Sequence, residues 1–130
     1  MSIVRRVEDQ PVVVTKGAQG GPGEIIARKL ACCDEDLWNK GRLLNVITLE
    51  PGSGVGYHVH NGDGEVYYMM EGTAEYNDNG AVVTISAGDV TFTKPGEGHS
   101  ITNVGDSHVK FLAIIMYEYQ KNRHMAVLVV

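Results

Sequence analysis

Cysteine is scarce in this 130-residue sequence, with only the adjacent pair Cys32 and Cys33. Neighbouring Cα atoms lie about 3.8 Å apart, which is shorter than the roughly 4.4 Å that a disulfide requires. The spacing also excludes a metal site of the CxxC type. We therefore predict two free thiols, one buried and one exposed if the segment is a strand.

Long hydrophobic runs are also absent, although hydrophobic residues make up 43% of the chain. A membrane helix needs about 20 consecutive apolar residues. The N-terminal segment MSIVRRVEDQ lacks the apolar core of a signal peptide. These absences predict a soluble, cytoplasmic protein without a membrane partner, and the length predicts one domain.

Positive charge is in deficit, with 11 Lys and Arg against 16 Asp and Glu and a formal net charge of -5. A nucleic-acid-binding domain normally presents a basic face, whereas the cations here are scattered along the chain. We therefore expect no nucleic-acid partner. Small neutral or anionic ligands remain possible.

Short β-prone runs separated by turn residues fill the chain from Leu43 onward. Alternating patterns of this kind, punctuated by NDNG, SAGD and KPGEG, predict an all-β sandwich or barrel. The last run, HVKFLAIIMYEY, predicts a strand that is covered on both faces, because the side chains that point to each of its two faces are apolar. These side chains are Phe111, Ala113, Ile115 and Tyr117 on one face, and Leu112, Ile114 and Met116 on the other.

The first third of the chain, before Leu43, predicts a mixture of strands, a loop and a short helix. Residues Met1 to Thr15 predict an arm or edge strand, and the glycine-rich residues 16–23 predict a loop near the barrel mouth before the strand EIIARKLA. Asp34 to Asn39 predicts one or two helical turns with Asp34 as N-cap. Trp38 could be a lid, and a hydrophobic plug is the favoured role.

Two histidines share one face in the stretch from Gly52 to Gly72. His58 and His60 are two residues apart, so in a strand they point the same way. The turn-forming residues NGDG that follow predict a β-hairpin that returns Glu65 beside them. These three side chains could therefore reach one ion together.

A fourth candidate ligand lies in the stretch from Gly88 to Asn103. His99 follows a turn at Pro95 and opens another β-rich run, so a neighbouring strand could bring it to the same point. The alternative is a set of unrelated polar residues on a barrel wall, but burying three imidazoles and a carboxylate without compensation would be costly. We therefore predict a metal site formed by His58, His60, Glu65 and His99.

The pattern Gly52-x5-His58-x-His60-x4-Glu65-x6-Gly72 resembles the first cupin motif, and Gly88 to Asn103 resembles the second. Pro95 lies one residue later than the usual motif proline, which indicates a different turn, since the separation of Gly88 and His99 is unchanged. The resemblance implies an all-β, jelly-roll-like double-stranded β-helix barrel with a metal inside one end. We predict a single domain over residues 1–130: an arm and loops in 1–42, the core barrel in 43–117 and a tail in 118–130.

The donor set excludes a thiolate-selected ion and suits Mn, Fe, Ni, Cu or Zn as the divalent metal. Four protein ligands on an octahedral ion leave two adjacent positions for water, O₂ or a substrate. Other residues have less specific roles. Tyr67 is the candidate catalytic residue, although core packing is favoured, and Met69 shares its face. We expect Asn103 to form hydrogen bonds with backbone groups and Glu97 to be solvated. His108 and His124 are not expected to bind the metal.

The resemblance implies a metal-dependent enzyme acting on a small organic acid or other oxygen-rich metabolite, similar to oxalate decarboxylases or dioxygenases. The alternatives are a non-catalytic binding or sensory module, and a metal-dependent isomerase of a sugar or keto acid. The β-prone N-terminal arm and the C-terminal MAVLVV both lie outside the predicted barrel. We therefore expect a homodimer in which terminal segments of one chain cover the sheet of the other.

Overall fold

The computed structural model describes residues 2–119. Within this range the chain forms ten strands and three short 3-10 helices, at Val7–Asp9, Ala18–Gly20 and Asp34–Leu37. No helix among the described residues is long and apolar enough to cross a membrane. The strands are β1 Val12–Lys16, β2 Glu24–Lys29, β3 Gly41–Leu49, β4 Gly54–Val59, β5 Asp63–Glu71, β6 Thr73–Asp78, β7 Ala81–Ser86, β8 Val90–Thr93, β9 Gly98–Thr102 and β10 Val109–Tyr117.

Two antiparallel sheets contain these strands. One has six strands in the order β1-β2-β3-β10-β5-β8, and the other has four in the order β4-β9-β6-β7. The chain passes from β3 in the first sheet to β4 in the second and back to β5 in the first. This alternation between facing sheets confirms the predicted all-β double-stranded β-helix.

The core lies between the two sheets and is built from alternating residues. On β10, Phe111 and Ala113 are fully buried and Ile115 nearly so. The opposite face of β10 is only half-buried and ends in the exposed Met116. The prediction of a strand covered on both faces is therefore wrong for the described single chain, because only one face meets the second sheet.

The N-terminal segment contains the predicted edge strand, β1, which pairs with β2 of the same chain. Residues 2–6 form no strand, and Arg5 anchors them by donating hydrogen bonds to the Leu30 carbonyl and the Asp36 carboxylate. The glycine-rich loop contains the 3-10 turn Ala18–Gly20, which packs against β4 at the open end of the barrel, as expected.

Three expectations for residues 32–39 are wrong. The 3-10 helix begins at Asp34, so Cys33 is its N-cap and provides no side-chain hydrogen bond. Both Cys32 and Cys33 are exposed, because the segment is not a strand with an inner face. Trp38 is 73% exposed in a left-handed conformation at the end of the helix, so it is not a plug. His124 and the C-terminal MAVLVV lie outside the described residues.

Candidate metal centre

A bulge in β4 aims the first two histidines inward. The pairing of β4 with β9 matches Val55 with Ile101 and His58 with His99, which leaves one extra residue on β4. A bulge of this kind reverses the inward and outward alternation of the residues beyond it. Val55 and His58 therefore face the same interior, and His60 follows on the same side, 3% exposed.

Glu65 reaches the histidines from the opposite sheet. The prediction that Glu65 returns in a hairpin with His58 is wrong, because β4 and β5 belong to different sheets and do not pair. The turn instead carries the chain across the barrel, with Gly62 at a φ of 77°. Because both sheets face the same interior, Glu65 still lies beside the histidines although the predicted hairpin is absent.

The turn before β9 explains the shifted proline. The Glu97 amide donates to the Lys94 carbonyl at 3.0 Å, with Pro95 and Gly96 at the two central positions and Gly96 at a φ of 90°. This matches a type II turn, which favours proline first and glycine second. The turn adds no residue to the strand that follows, so His99 faces inward and is 1% exposed.

The four predicted side chains meet at one point. His60 Nε2 lies 3.1 Å from both Glu65 Oε1 and His99 Nε2, and His99 Nε2 lies 3.0 Å from Glu65 Oε1. His58 Nε2 is 3.8 Å from Glu65 Oε1. Two donors in adjacent positions around an ion at about 2.1 Å would be separated by about 3.0 Å, so the cluster has the dimensions of a metal site.

Hydrogen bonds of the Nδ1 atoms of His58 and His60 determine that Nε2 faces the centre of the cluster. The Nδ1 of His58 lies 2.7 Å from the Gly56 carbonyl oxygen, and that of His60 lies 2.7 Å from Asp63 Oδ1. Both partners accept hydrogen bonds, so each Nδ1 carries a proton. In the neutral ring Nε2 therefore presents a lone pair to the centre, whereas in the protonated ring Nε2 donates to Glu65 instead. The centre thus gathers imidazole lone pairs and a carboxylate, an arrangement that a cation satisfies. This cluster could hold a metal ion.

His99 is held by hydroxyl groups. Its Nδ1 lies 2.8 Å from both Tyr76 Oη and Thr93 Oγ1, which are also 2.8 Å from each other. Tyr67 stacks on its ring, with centroids 4.8 Å apart and an angle of 25° between planes. The orientation of this ligand is therefore set by residues from three other strands, β5, β6 and β8.

The cluster keeps its carboxylate ionised. Burial alone would raise the pKa of Glu65, but the surrounding imidazoles of His58, His60 and His99 outweigh it and hold that pKa well below its usual value. The hydrogen bond with Glu65 raises the pKa of His60, while burial lowers the pKa of His99. The site therefore combines a permanent negative charge with imidazoles of unequal basicity.

Tyr67 lies beside the ligands, as predicted, and is 2% exposed. Burial, followed by the nearby charge of Glu65, raises its pKa well above the usual value for tyrosine. Its hydroxyl therefore stays protonated. Met69 on the same face is fully buried in the core.

A cavity of about 230 Å³ opens beside the cluster. The volume is equivalent to about eight water molecules, so it admits only a small ligand. A second opening at the mouth is lined by Gln19, Arg42, Asn61 and Asp63 together with the first histidines. The wall of the main cavity is mostly apolar and includes Ala18, Ile25, Leu43, Ile47, Val55 and Ile115.

Two residues at the site were not predicted from the sequence. Asp63 accepts from His60 through Oδ1 and from Arg42 Nε through Oδ2, the latter at 2.8 Å. The sequence NGDG indicates a turn, which hides the role of its aspartate. The position of Asp63 three residues after a candidate ligand is the signal that could have revealed it. Arg42 has no comparable signal, because its approach depends on an irregularity in β3.

The remaining predictions about single residues are mostly confirmed. Asn103 is fully buried, donates to the carbonyls of Leu49 and Ser107, and accepts from the Gly105 amide. His108 lies on the surface, paired with Glu71 and away from the cluster. Glu97 departs from the expectation of a solvated side chain, since it is half-buried and accepts from the Lys94 amide.

Comparison with known families identifies the fold. The family model for the cupin domain matches residues 45–115. This chain belongs to the cupin family. A curated relative from Thermotoga maritima, named oxalate-binding protein, is 43% identical over 114 residues, which is 88% of this cupin and 93% of that protein.

Solved structures agree with this assignment. A predicted oxalate decarboxylase from Thermotoga maritima is 41% identical with a TM-score of 0.84, over 88% of this cupin and 99% of that chain. A sugar phosphate isomerase of the cupin superfamily from Silicibacter pomeroyi is 18% identical with a TM-score of 0.70, over 93% of this cupin and 83% of that chain. The second likeness concerns the fold alone.

Proposed function

We propose that this cupin binds a divalent transition metal through His58, His60, Glu65 and His99, and that its ligand or substrate is a small organic acid of the oxalate type. The observation that carries the proposal is the convergence of three imidazoles and an ionised carboxylate beside a small cavity. The relative named as an oxalate-binding protein supports the acid as ligand. Mn, Fe, Ni, Cu and Zn all suit these donors.

The residues around the centre have distinct tasks in this proposal. A bound ion would supply Lewis acidity towards the oxygens of the acid. Asp63, the Gly56 carbonyl and the hydroxyls of Tyr76 and Thr93 hold the rings in place. The protonated hydroxyl of Tyr67 can donate a hydrogen bond towards a bound oxygen. The apolar wall limits the access of water to the acid.

Decarboxylation requires a proton donor in the cavity, whereas binding alone does not. Decarboxylation of oxalate to carbon dioxide and formate consumes one proton, which a carboxyl group commonly supplies. The acidic residues that line the cavities are Glu65 and Asp63. Both are engaged, Glu65 by the imidazoles and Asp63 by His60 and Arg42. This observation favours the second candidate, a cupin that binds the acid without turnover, over a decarboxylase.

One experiment separates these candidates. The protein is reconstituted with Mn²⁺ or Fe²⁺ and incubated with oxalate, while formate and carbon dioxide are measured and oxalate binding is followed by calorimetry. Binding together with stoichiometric products identifies an enzyme, and binding without products identifies a binding protein. If metal-loaded protein neither binds nor consumes oxalate, the proposed ligand is wrong.

The outer face of the six-stranded sheet supports a homodimer. The strand registers place Val12, Arg28, Val46, Leu112, Tyr68 and Val90 in one row across all six strands. A second row contains Leu44, Ile114, Val66 and Phe92, the last of which is 67% exposed. A contiguous apolar surface of this extent marks an interaction site.

We propose that a second copy of the chain covers this face. Six strands about 4.8 Å apart, with two to four outward residues each, span roughly 20 to 25 Å in both directions, which is of the order of the 800 Å² per partner that a stable dimer buries. The rows contain little charge, as expected of an interface core. The predicted exchange of terminal segments stays a prediction. In the described chain, β1 pairs with β2 of the same chain.

Mutation of Phe92 tests the dimer, with Val104 as a matched control. Val104 is similarly exposed, at 66%, but lies on a loop after β9 in the other sheet. Light scattering at tens of micromolar should show a dimer for the wild type and Val104→Glu, and a monomer for Phe92→Glu. A monomeric wild type would exclude this interface.

A further inference from the structure

Arg42 reaches the metal centre because β3 is irregular at this position. The pairing of β3 with β10 matches Leu43 with Ile115 and Gly41 with Met116, so Arg42 is the extra residue of a bulge. Without the bulge its side chain would share the outer face with Leu44. Instead, Arg42 lines both openings beside the histidines.

Only part of the Arg42 guanidinium is used within the described chain. Its Nε donates to Asp63 Oδ2 at 2.8 Å, and this fixes the plane of the group. The two terminal nitrogens make no hydrogen bond among the described residues, and the side chain is 44% exposed. A guanidinium held in this way presents a preorganised pair of donors, which matches the two oxygens of a carboxylate.

Arg42 determines whether the site carries a net positive charge. A divalent ion carries two positive charges, Glu65 and Asp63 each carry one negative charge, and Arg42 carries one positive charge, so the site has a net charge of about +1. Among the described residues that line the two openings, Arg42 is the only lysine or arginine. Its removal would leave the site without net charge.

We propose that Arg42 is the anion anchor of the site and selects small dicarboxylic acids over monocarboxylic ones. One carboxylate of the ligand approaches the histidine cluster, and the other is bound by the terminal nitrogens of Arg42. The cavity of about 230 Å³ has room for an acid of a few carbon atoms between the histidines and Arg42. This inference rests on the proposed function and names the ligand class of the same site.

Arg6 provides the matched control for a test. It is exposed, precedes the 3-10 helix Val7–Asp9 without a side-chain hydrogen bond to that helix, and lines neither opening of the site. Substitution of either arginine by glutamine changes the net charge of the protein by the same amount. A difference between the two variants therefore reports on position and not on overall charge.

The experiment measures binding of oxalate and acetate to Mn²⁺-loaded protein by calorimetry, with the manganese content determined for each sample. Arg42→Gln should weaken oxalate binding by about 10- to 100-fold, change acetate binding much less and retain the metal. Arg42→Lys should recover part of the affinity, since it restores the charge without the paired geometry. Arg6→Gln should match the wild type.

Two results would overturn the assignment of Arg42. Unchanged oxalate affinity in metal-loaded Arg42→Gln would show that the guanidinium does not contact the ligand. Loss of manganese from Arg42→Gln and Arg42→Lys alike would show that Arg42 acts only by positioning Asp63. Failure of the wild type to bind oxalate would instead contradict the proposed function, so the two failures are distinguishable.

Discussion

Asp63 illustrates what sequence reasoning can and cannot find at the scale of single residues. The four candidate ligands were predicted because their spacing matches a known motif and their side chains share an interior face. Asp63 was hidden in a turn sequence, although it connects His60 to Arg42 through its two oxygens. Groups that orient a ligand depend on distances across space, which a pattern along the chain does not contain.

Asn103 gives a test of a purely structural role in the second motif. Its side chain satisfies two carbonyls and one amide in a fully buried position, so Asn103→Ala leaves three backbone groups without partners. We expect a loss of about 3 kcal/mol in the free energy of unfolding with metal content unchanged. Chemical denaturation and elemental analysis measure the two quantities. A stable Asn103→Ala variant with altered ligand binding would contradict this role.

The variant Tyr67→Phe tests whether Tyr67 only packs in the core or also binds the ligand. Tyr67→Phe removes only the hydroxyl, which is close to Glu65 and the cavity. If the hydroxyl donates to a bound acid, oxalate affinity or turnover falls about 10-fold, while manganese content and thermal stability change little. Equal affinity in both proteins would leave packing as the function of Tyr67.

The metal affinity should decrease as the pH falls. A protonated imidazole cannot ligate, and the raised pKa of His60 means that protons compete for it at a higher pH than for an ordinary histidine, whose pKa is about 6.5. Glu65 stays ionised throughout this range because its pKa is lowered. A manganese-binding titration between pH 8 and pH 5 checks the direction. Constant affinity over this range would argue for other ligands.

At the scale of elements, strand positions were predictable and strand irregularities were not. Runs such as AVVTIS and VTFT coincide with β7 and β8, because alternation and flanking turns define them. The bulges at residues 56–57 and at Arg42 leave no comparable pattern, yet they determine which side chains enter the site. A one-residue irregularity changes the face of everything beyond it.

Gly56 tests the contact between the β4 bulge and the glycine-rich loop. A Cβ at this position would lie 2.1 Å from the Gln19 carbonyl oxygen, so Gly56→Ala must displace the loop at the cavity mouth. We expect a loss of about 2 kcal/mol in stability together with altered oxalate binding. Gly105→Ala is the control, because its nearest neighbour would be 3.6 Å away. Equal stability of the two variants would contradict the predicted packing.

At the scale of the whole molecule, the motif spacing sufficed for the family and the fold but not for the connection between β4 and β5. A turn sequence flanked by β-prone runs indicates a hairpin, and whether the second run returns to the same sheet depends on the pairing of distant strands. Here β4 pairs with β9 and β5 pairs with β10 and β8. The domain limits and the cytoplasmic location stay predictions.

We predict that His58, His60, Glu65 and His99 bind one divalent metal ion. Elemental analysis of freshly purified protein measures this, with His60→Ala and His99→Ala as the variants and His108→Ala, on the surface away from the cluster, as the control. Circular dichroism verifies that all four proteins are folded. We expect about one metal ion per chain in the wild type and the control, and a sharp loss in both variants. Equal metal content in all four proteins would show that these residues do not form the metal site.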